Sequence, residues 1–278
     1  MTTTRVDVGE VTLSVTVEGA GPPVVLLHGF PQFGYAMRHV AAGLVAAGYT
    51  AIVPDLRGYH RSDKPEDEDA YAIDHLVADV AGLLDALGHD RAVVLGHDWG
   101  GMIAYSFAHR QPARTAKLVV LNAAHPELYR QGLSTPSQLW RSWYVFFFQL
   151  PELPEALITE RGYFERVMAS DAPHAFPPDV VDAYVEAMRL PGSAKAAVDY
   201  YRAASKHGLR APGTIDVETL VIWGDEDDAL GRALLVGLER YVPRVRVHHL
   251  AGASHWVAED RPAEVVAALV DFLGEPTG

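Results

Sequence analysis

Short strand-like runs alternate with helix-like segments from the start of this sequence to about residue 125, and that alternation leaves few folds open. Residues 24–27 (Val-Val-Leu-Leu) are continuously apolar, as in a strand buried on both faces. Residues 50–53, 92–95 and 117–121 read as further strands. Between them, residues 35–47, 73–87 and 99–109 have helical spacing, and the first two stop at Gly48 and Gly88. Residues 11–17 alternate apolar side chains with Thr or Ser, which suits an antiparallel strand with one face in water. This order of elements predicts a mainly parallel, doubly wound α/β sheet with helices on both faces. The acidic run at 66–69 reads as a solvated loop before the second helix.

The pattern then changes. Residues 129–211 contain no strand-like run, but many aromatics and several prolines, which suggests a helical insertion. Alternation returns with a strand at 220–222, a helix at 232–241, a strand at 245–250 and a helix at 263–273. The expected organisation is a core in two parts, 1–128 and 212–278, carrying a helical lid at 129–211.

Charge and composition remove whole classes of function. With 23 basic against 36 acidic side chains, the net charge of −13 argues against nucleic acid or an anionic membrane as partner. There is no cysteine, so disulfides, thiolate zinc sites and cysteine nucleophiles are excluded. No apolar run approaches the ~20 residues of a membrane span, and no apolar signal segment follows Met1, so a cytoplasmic protein is expected. Neither a phosphate-binding glycine loop nor a cluster of metal ligands is visible, and no cofactor or metal is expected.

The chemistry concentrates at Gly96-His97-Asp98-Trp99-Gly100-Gly101, directly after a buried strand and directly before a helix. A nucleophile held there in a strained turn brings the residues two before and two after it into close approach, and Gly96 and Gly100 permit that. The turn aims the nucleophile out of the sheet edge, and here it is Asp98. His28-Gly29-Phe30-Pro31 follows the strand at 24–27, where the Phe30 amide can sit beside the Trp99 amide as a pair of oxyanion donors. His28 reads as structural. After the insertion, Trp223-Gly224-Asp225-Glu226-Asp227-Asp228 places carboxylates past a strand end, and the spacing favours Asp227 over Asp225 and Asp228. His255 lies in a small-residue loop after the last strand, which completes the chain order nucleophile, acid, histidine.

An aspartate nucleophile narrows the reaction. Attack on an ester would form an anhydride, an unattractive route when serine is available, whereas attack on saturated carbon forms an alkyl ester. Water activated by His255, with Asp227 orienting it, can hydrolyse that ester. Epoxide opening and carbon–halogen hydrolysis are the two chemistries that fit. An opened epoxide needs a donor for its alkoxide, and a tyrosine O–H in an apolar lid suits that part.

With HGFP at 28–31, GHDWGG at 96–101, WGDED at 223–227 and SHW at 254–256, the sequence resembles the epoxide hydrolases of the α/β-hydrolase superfamily over nearly its whole length. Trp143-Tyr144 with Phe148-Gln149-Leu150-Pro151 resembles the segment bearing the first lid tyrosine, and Tyr200-Tyr201-Arg202 the second. The resemblance implies an α/β-hydrolase fold with an inserted lid. It implies that Tyr144 and Tyr201 hold the oxirane oxygen while Asp98 attacks, and that the substrates are a small apolar epoxide and water. Trp99, Phe148 and Trp256 are candidate cavity walls, and a homodimer through the lid would suit such a fold.

Two rival readings remain. A dehalogenase would use the same nucleophile, but Phe30 stands where many such enzymes have a halide-binding asparagine. Asn122, where some relatives keep their acid, cannot act as one. A non-catalytic binding protein on this scaffold would not need Asp98, Asp227 and His255 together.

Overall fold

The computed structural model describes residues 2–169, 172–209 and 213–275. Its strands are β1 (Thr2–Asp7), β2 (Thr12–Glu18), β3 (Pro23–Leu27), β4 (Thr50–Pro54), β5 (Ala92–His97), β6 (Thr115–Leu121), β7 (Thr219–Gly224) and β8 (Val245–Leu250). They form one sheet in the order β1-β2-β4-β3-β5-β6-β7-β8. The β1–β2 and β2–β4 pairs are antiparallel, and every other pairing is parallel.

The apolar runs belong to the middle of the sheet because successive side chains there enter different cores. Val24 and Leu26 join Leu44, Val265 and Phe272 on one face. Val25 and Leu27 join Val80, Ile103 and the lid residues on the other. Helices α1 (Arg38–Ala46), α2 (Ile73–Ala86) and α3 (Trp99–Arg110) follow the early strands, and α3 is buried at ten consecutive positions, from Trp99 to Ala108.

Between β6 and β7 the described residues form no strand but helices and turns. These are α4 (Pro126–Gly132), α5 (Pro136–Arg141), α6 (Trp143–Phe147), α7 (Leu153–Leu157), α8 (Arg161–Phe164), α9 (Pro178–Arg189) and α10 (Ser193–His207). After β8 come α11 (Val257–Asp260) and α12 (Pro262–Leu273). Among the described residues, no helix is long and apolar enough to cross a membrane.

Three local expectations need correction. The sequence reading has no strand before residue 11, yet β1 pairs along the outer side of β2. Its Thr-rich sequence lacks apolar alternation because it is an edge strand with three successive exposed residues, Thr3 to Arg5. The expected helix at 232–241 is two short 3₁₀ turns, Arg232–Leu235 and Leu238–Arg240. Gly237, at φ 85°, breaks the run between them. The acidic run is not merely solvated, since Asp69 accepts from Lys206 at 2.5 Å and from His207 at 2.9 Å on α10.

Candidate active site

Parallel strands bring their C-terminal ends to one edge, and loops from β3, β5, β7 and β8 converge there. Asp98 links β5 to α3 at φ 51° and ψ −118°, a strained conformation worth about 1–3 kcal/mol. The glycines around it are required by contact. A Cβ on Gly96 would lie 2.1 Å from the Gly100 carbonyl oxygen, and one on Gly100 would lie 2.2 Å from the Leu27 oxygen. Gly29 is equally constrained, because a Cβ there would lie 2.4 Å from Asp98 Cβ. Gly96→Ala is therefore expected to lower the melting temperature by at least about 5 °C, checked by calorimetry.

The carboxylate of Asp98 is held by backbone donors. The Phe30 amide donates to Oδ1 at 2.8 Å, and the Trp99 amide, next in the chain, lies close enough to favour the charged carboxylate. Burial pushes the Asp98 carboxyl above its ordinary value, despite His255 and these two amides. His255 Nε2 stands 3.8 Å from Asp98 Oδ2. That places the imidazole beside the nucleophile without a direct hydrogen bond.

On the other side of the imidazole, His255 Nδ1 is 2.7 Å from Asp227 Oδ2. Asp227 Oδ1 accepts from the amides of Ala229 at 2.8 Å and Leu230 at 2.7 Å. Burial alone would raise the Asp227 carboxyl, but His255, Asn122 and the Leu230 amide outweigh it and hold the group below its ordinary range. An ionised Asp227 fixes the tautomer with a proton on Nδ1 and leaves Nε2 as a base. The neighbouring carboxylates are placed differently: Asp225 pairs with His249 at 2.8 Å, and Asp228, whose side chain is 83% exposed, lies at the wall of the larger cavity beside Asp98.

Asn122 was set aside in the sequence because it cannot serve as the acid, yet it belongs to this assembly. Its Nδ2 donates to Asp227 Oδ2 at 2.7 Å, and its Oδ1 accepts from the Gly224 amide at 2.9 Å. Its position after β6, at the same sheet edge, is the signal that could have found it. Its own φ is 37°, a second strained position at this edge. His28 is structural, as expected: Nε2 accepts from the Leu56 amide at 3.0 Å, and Nδ1 donates to the Gly29 carbonyl at 3.1 Å. Burial pushes its pKa down to about 4, so it stays neutral.

Two cavities, of about 220 and 360 Å³, share Asp98, Tyr144 and Tyr201 in their walls. Trp99 lines the smaller, and Phe30, Phe148, His255 and Trp256 line the larger. The adjacent tyrosines of α10 separate cleanly. Both rings touch Trp99, at 5.3 and 5.1 Å, but Tyr200 donates its hydroxyl to the Arg57 carbonyl at 2.8 Å, while the Tyr201 ring packs 5.3 Å from Phe30 and 4.7 Å from Phe148 in the cavity walls. Tyr144 and Tyr201 are 5.9 Å apart by ring centroid. Burial above all raises both phenols well beyond their ordinary pKa, with the Asp98 charge adding to it, so both remain O–H donors at neutral pH. Tyr129 and Tyr163, not singled out in the sequence, also line the cavities.

Comparison with known proteins identifies the family. A family model described as the alpha/beta hydrolase fold matches residues 22–262. AB hydrolase superfamily protein YfhM of Bacillus subtilis is 38% identical over 96% of this chain and 96% of its own length. Epoxide hydrolase 3 of Xenopus tropicalis is 36% identical, covering 91% of this chain and 72% of that protein. The crystal structure of a Bacillus megaterium epoxide hydrolase with an inhibitor superposes with a TM-score of 0.90 at 30% identity, covering 97% of this chain and 99% of that one. This chain belongs to the α/β-hydrolase fold family and, within it, to the epoxide hydrolases.

Proposed function

We propose that this chain hydrolyses epoxides to vicinal diols through an ester formed on Asp98. The observation that carries the reading is that two phenols, the half-buried Tyr144 and the buried Tyr201, share cavity walls with the Asp98 carboxylate. In the first step Asp98 attacks an oxirane carbon, a C–O bond forms, and the ring C–O bond breaks. The released alkoxide takes a proton from a lid tyrosine. In the second step His255 removes a proton from water, and the hydroxide adds to the aspartyl carbonyl. The oxyanion there is held by the amides of Phe30, which already donates to this carboxylate, and Trp99, which stands beside it. Collapse releases the diol alkoxide, which is protonated by the imidazolium, and a final proton transfer restores the tyrosine.

Apolar walls on both sides of Asp98 favour an epoxide with apolar substituents. A panel of styrene-type and aliphatic epoxides, with bromoalkanes and haloacetates assayed alongside, tests the reading. Diol from wild type and none from Asp98→Ala is the expected result. Halide without diol would reassign the tyrosines to packing and favour the dehalogenase. In the same assay Asn122→Ala is expected to lower kcat by about tenfold or more, on the scale of one hydrogen bond to a charged group.

A further inference from the structure

Gln138 has no part in these steps, yet its side chain is as fully engaged as any at the site. It projects from α5 and is 3% exposed. A buried carboxamide is costly unless its polar atoms find partners. Here Oε1 accepts from the Gly231 amide at 3.0 Å, and Nε2 donates to the Ala229 carbonyl at 2.9 Å and to Ser142 Oγ at 3.0 Å. Arg141, on the same helix, donates to the Asp227 carbonyl at 2.8 Å.

The segment gripped in this way runs from 227 to 231, and it is the segment that orients Asp227. The amides of Ala229 and Leu230 hold Oδ1 at 2.8 and 2.7 Å, which leaves Oδ2 for His255. Gln138 bonds to the carbonyl of the first of these residues and to the amide just beyond the second. Removing its carboxamide leaves both backbone groups unpaired and frees the turn to shift.

We propose that Gln138 is a positioning residue for the hydrolytic half of the reaction, fixing the turn that aims Asp227 and, through Asp227, the imidazole of His255. The inference rests on the two-step reading above. Gln138 is absent from the walls of both cavities that contain Asp98, so ester formation and ester hydrolysis respond differently to its loss.

Kinetics separate the two. When ester formation is the first irreversible step, kcat/KM reports it, while a slowed hydrolysis lowers kcat and KM together. Gln138→Met keeps the length and approximate volume of the side chain and removes the hydrogen bonds. With styrene oxide, kcat and KM are expected to fall together by about tenfold, with kcat/KM within about twofold of wild type. In rapid-quench mass spectrometry the Asp98 ester forms at the wild-type rate and decays about tenfold more slowly. Gln138→Glu keeps the acceptor for Gly231 and recovers part of the loss; it also carries the test if the methionine variant does not fold. A fall in kcat/KM equal to that in kcat overturns the proposal, because Gln138 would then only seat the lid. Unchanged kinetics with a lowered melting temperature overturns it too. If wild type itself forms no ester with styrene oxide, the two-step reading fails first, and the inference fails with it.

Discussion

Asp98→Ala is expected to abolish diol formation, with a loss of at least about 10⁴-fold in kcat, the scale seen when a nucleophile is removed from an otherwise intact site. Asp227, the nearest carboxylate in the hydrogen-bonded assembly, is already committed. It is turned toward His255, Asn122 and two amides, which engage both of its carboxylate oxygens. The same substitution carries a stability signature. The folded-state pKa of Asp98 lies above its ordinary value of 3.8 because of burial. Between those two values the folded protein binds more proton than the unfolded chain, so wild-type stability falls as pH rises through that window. Alanine lacks this linkage. The melting temperature of Asp98→Ala relative to wild type is therefore expected to climb from pH 4 upward and to level off above the folded-state pKa. Parallel thermal scans of the two proteins check this. A difference independent of pH would mean that the Asp98 carboxyl is not raised.

His255→Gln is expected to stop the reaction halfway. The Asp98 carboxylate attacks without assistance from a base, whereas water needs one, and removing a general base costs about 10²–10⁴-fold. The variant should consume close to one equivalent of epoxide and then stall, with the intact mass increased by the mass of the substrate. The side chain at 255 lies between Asp227 at 2.7 Å and Asp98 at 3.8 Å, so it can serve the water that attacks the aspartyl carbonyl. A variant that turns over at the wild-type rate would remove His255 from the mechanism. One that neither turns over nor gains mass would instead implicate the histidine in the first step.

What was legible in the sequence is what depends on local contact. The elbow could be read because Gly96 and Gly100 meet each other and Leu27 at distances that exclude any Cβ. Asp227 could be chosen because its offset from the end of β7 lets its side chain turn back to the amides of residues 229 and 230. The parallel centre of the sheet was legible in runs such as β5 and β7, which are buried at every position. Tyr201 was distinguishable from Tyr200 only through likeness to a family. On a helix, adjacent residues point about 100° apart, and the sequence alone does not say which face meets Asp98. Asn122 and Gln138 went unread as positioning groups for a different reason. Their partners lie 105 and 93 residues away in the chain, and only the adjacency of β6 to β7 and the docking of α5 bring them together. The helix expected at 232–241 failed because apolar spacing carries no information about the left-handed backbone at Gly237.

The central claim is that an oxygen of Asp98 is transferred to the product. A single turnover in ¹⁸O-labelled water, with enzyme in excess over epoxide, tests it directly. If the ester forms on Asp98 and water attacks its carbonyl carbon, the first diol released contains no solvent oxygen, and one ¹⁸O is found in the peptide bearing Asp98. Diol that carries ¹⁸O in the first turnover, with Asp98 unlabelled, would mean that water opens the epoxide directly and that the covalent mechanism is wrong.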